Sequence, residues 1–232
     1  KMRISWHKTL APDHYNQRNI MQKPAYSPQF KRPDVRIEHQ ETVYQGFYQV
    51  QKLSLKHRLF NGGWSRELSR ELVLRLPAVA VLMYDPKRDQ VVLIEQFRVG
   101  AMAHEDGPWQ LEMVAGMIDT DETPEQVAVR ECEEESGAKI ALESLELVCK
   151  YLVTPGGSNE SLNIYCAPVD ASQITGVHGL PTEGEDIKVQ VIDRDVLWGM
   201  LEQGKLTNAA TIIVIQWLQL HHQRLQEQWI NP

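Results

Sequence analysis

The amino-acid sequence predicts a mixed α and β fold, with a small antiparallel β unit ahead of a larger domain. Three observations support this. Runs of β-branched and aromatic residues recur between turn residues from Val35 onward. A capped helix interrupts them between Thr123 and Gly137, and a long amphipathic helix occupies 207–229. The chain has 232 residues, 42% of them apolar, enough for one large domain with a smaller appendage and a substantial core.

Residues 1–34 carry scattered prolines and mixed charge with no sustained period, and read as an extended or poorly ordered arm. The β unit, 35–76, consists of one extended stretch, VRIEHQETVYQGFYQVQKLSLKHRLF, and a returning strand, WSRELSRELVLRL, joined by the hairpin turn Asn61-Gly62-Gly63. The main domain, 77–232, starts with AVAVLMYD and QVVLIEQFR, paired through a turn at Asp85–Asp89. WQLEMVAG (109–116) is a strand feeding the capped helix through a loop at 117–122. LELVCKYLV, LNIYCAPV and IKVQVID are further strands, and DRDVLWGMLEQGK is a short helix. This order gives mixed α and β and no more.

Composition excludes several classes of function. A formal charge of −7 with no compensating basic face argues against a nucleic-acid partner. No apolar run reaches membrane-spanning length, and the N-terminal segment lacks the apolar core of a signal peptide. Cys132, Cys149 and Cys166 form no C-x-x-C pair and no even set, which suits a reducing cytoplasm.

The chemistry is concentrated in LEMVAGMIDTDETPEQVAVRECEEESGA, residues 111–138. Thr123 can cap, Pro124 suits the first helical position, Gln126 completes a capping box and Gly137 supplies the stop. On that helix Glu131, Glu134 and Glu135 are three and four residues apart and share one face, beside an apolar stripe of Ala128, Val129 and Cys132. Crowded carboxylates repel one another. They are oxygen ligands suited to Mg²⁺ or Mn²⁺, which in turn clamps phosphate oxygens. Taken alone, such a run is a solvated acidic face. Here it comes with Gly116, Glu122 and Arg130 at fixed spacings.

These positions match the Nudix signature, glycine-x5-Glu-x7-Arg-Glu-aliphatic-x-Glu-Glu-x-Gly-aliphatic, with Cys132 at an aliphatic position. The chain resembles a Nudix hydrolase, and from about Val35 to Trp229 it resembles the bacterial ADP-ribose pyrophosphatases. VYQGFYQV, HRLFNGG, VVLIEQFRVGA, TPGGSNE and GVHGLPTEGEDIKV carry the wider likeness. The resemblance implies an α/β/α sandwich and a homodimer whose N-terminal strands (35–76) pack across to the partner. It also implies Mg²⁺-dependent cleavage of ADP-ribose into AMP and ribose 5-phosphate.

Residue by residue, the resemblance makes Glu131, Glu135, Glu185 and the backbone carbonyl of Ala115 metal ligands. Glu134 becomes a further metal-site carboxylate or an orienting group. Glu183, on a loop with Gly179, Pro181 and Gly184, becomes the base that activates water; without the resemblance, 183–186 is an ordinary acidic turn. Phe47 and Tyr48 are either a strand packing pair or an adenine sandwich donated by a partner subunit. Arg70, Glu71 and Arg75 alternate along a strand as substrate contacts or as a solvated face. Arg98 can hold phosphate oxygens in a bidentate contact. Met117 lines the pocket or the core, and Glu160 can bond a ribose hydroxyl. Two alternatives stay open: the same chemistry on another nucleoside diphosphate sugar, and a non-catalytic ADP-ribose-binding regulator, against which the complete set of helix glutamates argues.

Overall fold

The computed structural model describes residues 26–230. Most of the predicted arm lies outside the described residues, and its described end contains a short 3-10 turn, Arg32–Asp34. β1 (Val35–Gln45), β2 (Gln49–His57) and β3 (Leu68–Leu74) then form an antiparallel three-stranded sheet in that order. The stretch predicted as one long strand is therefore two. It folds back at Gly46-Phe47-Tyr48, where the Gly46 N–H donates to the Tyr48 carbonyl at 2.9 Å. The Asn61-Gly62-Gly63 turn lies where expected, between β2 and β3.

The larger sheet contains β4 (Ala78–Asp85), β5 (Gln90–Phe97), β6 (Trp109–Glu112), β7 (Val114–Met117), β8 (Glu146–Leu152), β9 (Ser161–Pro168), β10 (Val177–His178) and β11 (Ile187–Asp193). Its order is β10-β11-β5-β4-β9-β8; β4 and β9 run parallel, which makes the sheet mixed. β4 and β5 pair only where Met83–Asp85 faces Gln90–Val92, then diverge. The gap is filled by the segment predicted as the single strand WQLEMVAG. β6 pairs with β5, the chain breaks at buried Met113, and β7 pairs with β4.

Alternation along β4 places Val79, Val81 and Met83 on one face and Ala80, Leu82 and Tyr84 on the other. Helix α1 (Pro124–Ser136) covers the first face with Val127, Ala128 and Cys132. Val127 takes the fully buried place that the sequence pattern gives to Val129. Helices α2 (Arg194–Glu202) and α3 (Ala209–Ile230) cover the second, burying Leu197, Val214, Ile215, Leu218 and Leu225. Each such side chain contributes about 1.5–3 kcal/mol. The domain is the expected α/β/α sandwich. Among the described residues no helix is long and apolar enough to cross a membrane.

A polar lock holds the β4–β5 turn. Buried Asp85 accepts from the N–H groups of Lys87, Arg88 and Ala171 and from the Arg88 guanidinium, at 2.8–3.0 Å. Burial alone would raise its pKa, but the N–H groups of Arg88 and Ala171 and the Arg88 guanidinium outweigh that and hold it below the usual range. Asp89 adopts a left-handed φ of 55° and accepts three hydrogen bonds from Arg194, which also donates to Gln219 on α3. Burial raises its pKa too, and Arg194 and the Tyr84 hydroxyl more than offset this. Because both folded values are depressed, the stability these groups add is complete above the ordinary aspartate range near pH 4 and is lost as pH falls through the folded values. Asp85→Asn should destabilise the fold by about 1–3 kcal/mol at pH 7 and flatten the loss below about pH 4. Urea unfolding followed by circular dichroism across pH checks this; parallel acid profiles for the two proteins would refute it.

Candidate active site

The site forms where α1 crosses β7. Thr123 accepts the Gln126 N–H at 3.3 Å and the Gln126 carboxamide accepts the Thr123 N–H at 2.8 Å, the predicted capping box. Gly137 closes the helix at φ 71°, a left-handed conformation that glycine takes without steric cost. These ends fix the rotation of α1, so that Cys132 enters the core while Glu131 and Glu135 face the strand. Gly116 on β7 gives them room, because a Cβ there would overlap the Glu131 carboxyl group. The Ala115 N–H donates to Glu135 Oε2 at 3.0 Å. Arg130 donates through Nη1 to Glu131 at 2.8 Å and Glu134 at 3.1 Å, and through Nε to Glu122 at 3.2 Å. It is the built-in counter-charge of the cluster.

A second arm comes from the loop between β10 and β11. Gly179 docks it on α1 by donating its N–H to the Glu134 carbonyl at 3.2 Å. The Leu180 N–H holds Glu185 Oε2 at 2.9 Å. Glu183 ends a short 3-10 turn, Pro181–Glu183, and is exposed. Burial first, then the charges of Glu134 and Glu185, push Glu131 up to about 7 against the pull of Arg130. Burial, then Glu131 and Glu185, push Glu135 up to about 8 in spite of its bond from Ala115. The donor set is all oxygen and Arg130 offsets only part of its charge, which is the chemistry a hard divalent cation satisfies. Among the described residues no three side chains are drawn into a metal-sized cage; Arg130, Ala115 and Leu180 hold oxygens of Glu131, Glu134, Glu135 and Glu185 by hydrogen bonds.

The cluster lies along one cavity of about 750 Å³. Of the predicted residues, Ala115, Glu131, Glu134, Glu135, Glu183, Glu185, Arg98, Met117, Arg75, Glu160, Phe47 and Tyr48 all line it. Arg75 pairs with Glu160 at 3.0 Å, and its guanidinium lies 4.7 Å from the centre of the Tyr48 ring. Within the single chain, the β1–β2 turn brings Phe47 and Tyr48 to the rim of their own cavity. Arg70 and Glu71 do not join them. They sit exposed in the middle of β3, opposite Leu53 and Lys52, and within one chain they stay off the cavity. The sequence reading missed Glu112 and Asn208, which line the cavity and bond each other at 2.9 Å. A lone glutamate inside the apolar strand WQLEMVAG was the signal for the first; nothing in the sequence marks the second.

Residues 74–210 match the model of the NUDIX domain, more than half of the chain. The chain belongs to the Nudix family. This Nudix hydrolase is 45% identical over 210 residues to the ADP-ribose pyrophosphatase of Escherichia coli (strain K12), covering 90% of this chain and all of that protein. It is 41% identical over 203 residues to the ADP-ribose pyrophosphatase of Haemophilus influenzae, covering 86% and 93%. A GDP-mannose pyrophosphatase of Escherichia coli O1:K1 / APEC is 30% identical over 154 residues, 66% of this chain and 78% of that one. The solved structure of an ADP compounds hydrolase matches with a TM-score of 0.61 at 22% identity, over 84% of this chain and 98% of that one, a likeness of fold alone.

The contact between β7 and Glu131 gives a sharp test. Gly116→Ala should force the Glu131 carboxyl out of place and lower the hydrolytic rate by on the order of 10²-fold. Far-ultraviolet circular dichroism should be unchanged, because β7 and its partner β4 keep their backbone pairing. A rate within a few-fold of the parent protein would show that the close approach is dispensable.

Proposed function

We propose that the chain hydrolyses the diphosphate bridge of ADP-ribose, giving AMP and ribose 5-phosphate, with Mg²⁺ (or Mn²⁺) as cofactor. The observation that carries this reading is the near full-length 45% identity to an ADP-ribose pyrophosphatase. The cavity supports it by joining a carboxylate end to an aromatic and guanidinium end in one space. Glu131, Glu135, Glu185 and the Ala115 carbonyl would hold the cation, with Glu134 beside them. When bound, it neutralises diphosphate oxygens and acidifies water. Glu183 takes the proton of the attacking water as the new P–O bond forms and the bridging P–O bond breaks. Arg98 meets diphosphate oxygens, and Phe47 and Tyr48, with Arg75 against the latter, form the wall for the base. Met117 and Glu160 line the remaining sides. A second reading, hydrolysis of another nucleoside diphosphate sugar, draws on the 30% identity to a GDP-mannose pyrophosphatase.

The experiment is incubation of the protein with ADP-ribose, and in parallel GDP-mannose, with Mg²⁺ or EDTA, products being separated by chromatography. AMP should appear with Mg²⁺ and vanish with EDTA. Glu183→Gln, which keeps shape but cannot accept a proton, should slow turnover by on the order of 10²–10⁴-fold with little change in KM. Turnover in EDTA would refute the metal reading, near-normal Glu183→Gln turnover would refute the base, and preference for GDP-mannose would favour the second reading.

The protein is further proposed to be a cytoplasmic homodimer. The three cysteines are free thiols, as a reducing compartment requires. The three-stranded sheet exposes Ile37, Val43 and Tyr44, and Phe60 in the β2–β3 turn is 81% exposed, a surface suited to a second copy. Such packing also gives Arg70 and Glu71 a cavity to serve, the partner's. Light scattering at micromolar protein should give twice the chain mass; a monomeric mass would remove the dimer and that role together.

A further inference from the structure

Glu112 is buried in the cavity wall, and the reaction described above gives it no part. Both of its oxygens are engaged. Oε2 accepts the Arg98 Nε–H at 2.8 Å, and Oε1 accepts from the Asn208 carboxamide at 2.9 Å. Asn208 is itself fixed, since its Oδ1 accepts the Thr211 N–H at 3.1 Å in the first turn of α3. Alongside, the Thr207 hydroxyl donates to Gln110 at 2.7 Å and the Thr211 hydroxyl to the Leu111 carbonyl at 3.3 Å, so β6 is stitched to the start of α3 at three points. Each of these bonds is satisfied within the chain.

Arg98 is different. It is tethered at Nε, and among the described residues its two Nη groups have no hydrogen-bond partner, although the side chain lines the cavity. A guanidinium is a rigid planar fork. Held by its Nε edge, it presents the Nη1–Nη2 end as a pair, the geometry for two oxygens of one phosphate group. An untethered arginine would have to find that orientation anew for each substrate, losing the freedom of a long side chain each time.

We propose that Glu112, braced by Asn208, is a positioning residue that holds Arg98 by its Nε so that both Nη groups meet the substrate diphosphate. The proposal rests on the reading of Arg98 as a diphosphate contact. Glu112 itself touches no substrate. Its carboxylate is what makes the tether strong, because a bond between two charged groups is roughly twice as strong as a neutral one.

A double-mutant cycle on ADP-ribose hydrolysis tests this, with kcat and KM measured separately for Arg98→Ala, Glu112→Gln and the pair, and folding checked by thermal unfolding. Arg98→Ala alone should lower kcat/KM by on the order of 100-fold. Glu112→Gln should lower it by about 10-fold in the parent protein and by less than about 2-fold where Arg98→Ala is already present. An undiminished effect of Glu112→Gln in the Arg98→Ala background would overturn the proposal while leaving the reading of Arg98 intact. No change on Arg98→Ala would overturn that reading, and the proposal with it. Should Glu112→Gln fail to fold, Arg98→Lys reads the same contact from the other side. Lysine keeps the charge but has no fork to be held and to hold at once, so kcat/KM should fall nearly as far as with Arg98→Ala. Full activity of Arg98→Lys would overturn the proposal.

Discussion

Four glutamates share one half-buried space, and much of the molecule is arranged around the electrostatic cost of keeping them there. Glu131, Glu134 and Glu135 are forced together by a helix whose ends are capped on both sides, and Glu185 is brought in by a loop docked on that same helix. Arg130 answers part of the charge and Ala115 a little more. Burial first, and then the charge left uncompensated, hold two of these carboxyl groups protonated toward neutral pH. A fold that could relieve the strain with one more arginine does not do so. The deficit of positive charge is the property that recruits a cation.

The opposite end of β4 shows the same physics with the opposite sign. Asp85 is no more exposed than Glu135, yet its pKa is depressed rather than raised. Burial acts in the same direction on both. The difference lies in the surroundings: three N–H groups and a guanidinium converge on Asp85, whereas Glu135 is more deeply desolvated, has a single N–H and lies beside the charges of Glu131 and Glu185. Counting donors and neighbouring charges around a buried carboxylate thus separates one that holds structure from one kept in reserve for chemistry.

Most of the site was legible in the sequence because it is local. Capping box, glycine stop, paired carboxylates and Gly116 all act within about one helix and the strand before it, where spacing and geometry are nearly the same statement. The loop glutamates Glu183 and Glu185 were legible only through family likeness, since an acidic turn carries no period. What stayed hidden depends on tertiary arrangement. The break at Met113 follows from the divergence of β4 and β5, which no window of sequence contains. The pairing of Glu112 with Asn208 joins residues 96 apart. Arg70 and Glu71 alternate as a strand should, and alternation could not reveal that both stay off their own chain's cavity.

The seam between the two sheets has a consequence of its own. Val73 exchanges backbone hydrogen bonds with Gly157 and Asn159, and the Arg75 N–H donates to the Asn159 carboxamide at 2.7 Å. These contacts link a three-stranded sheet with little buried apolar surface of its own to a domain with cores on both faces of its sheet. Within a single chain the smaller sheet therefore has less to hold it than the domain, and the seam is where a partial opening of the native state would begin. On the proposed reading, the wall for the base belongs to the part that opens and the carboxylates to the part that does not. A transiently opened molecule would keep its power to cut diphosphates while losing its means of judging what is attached to them. On that reading, fidelity is a matter of how firmly one short loop grips one strand.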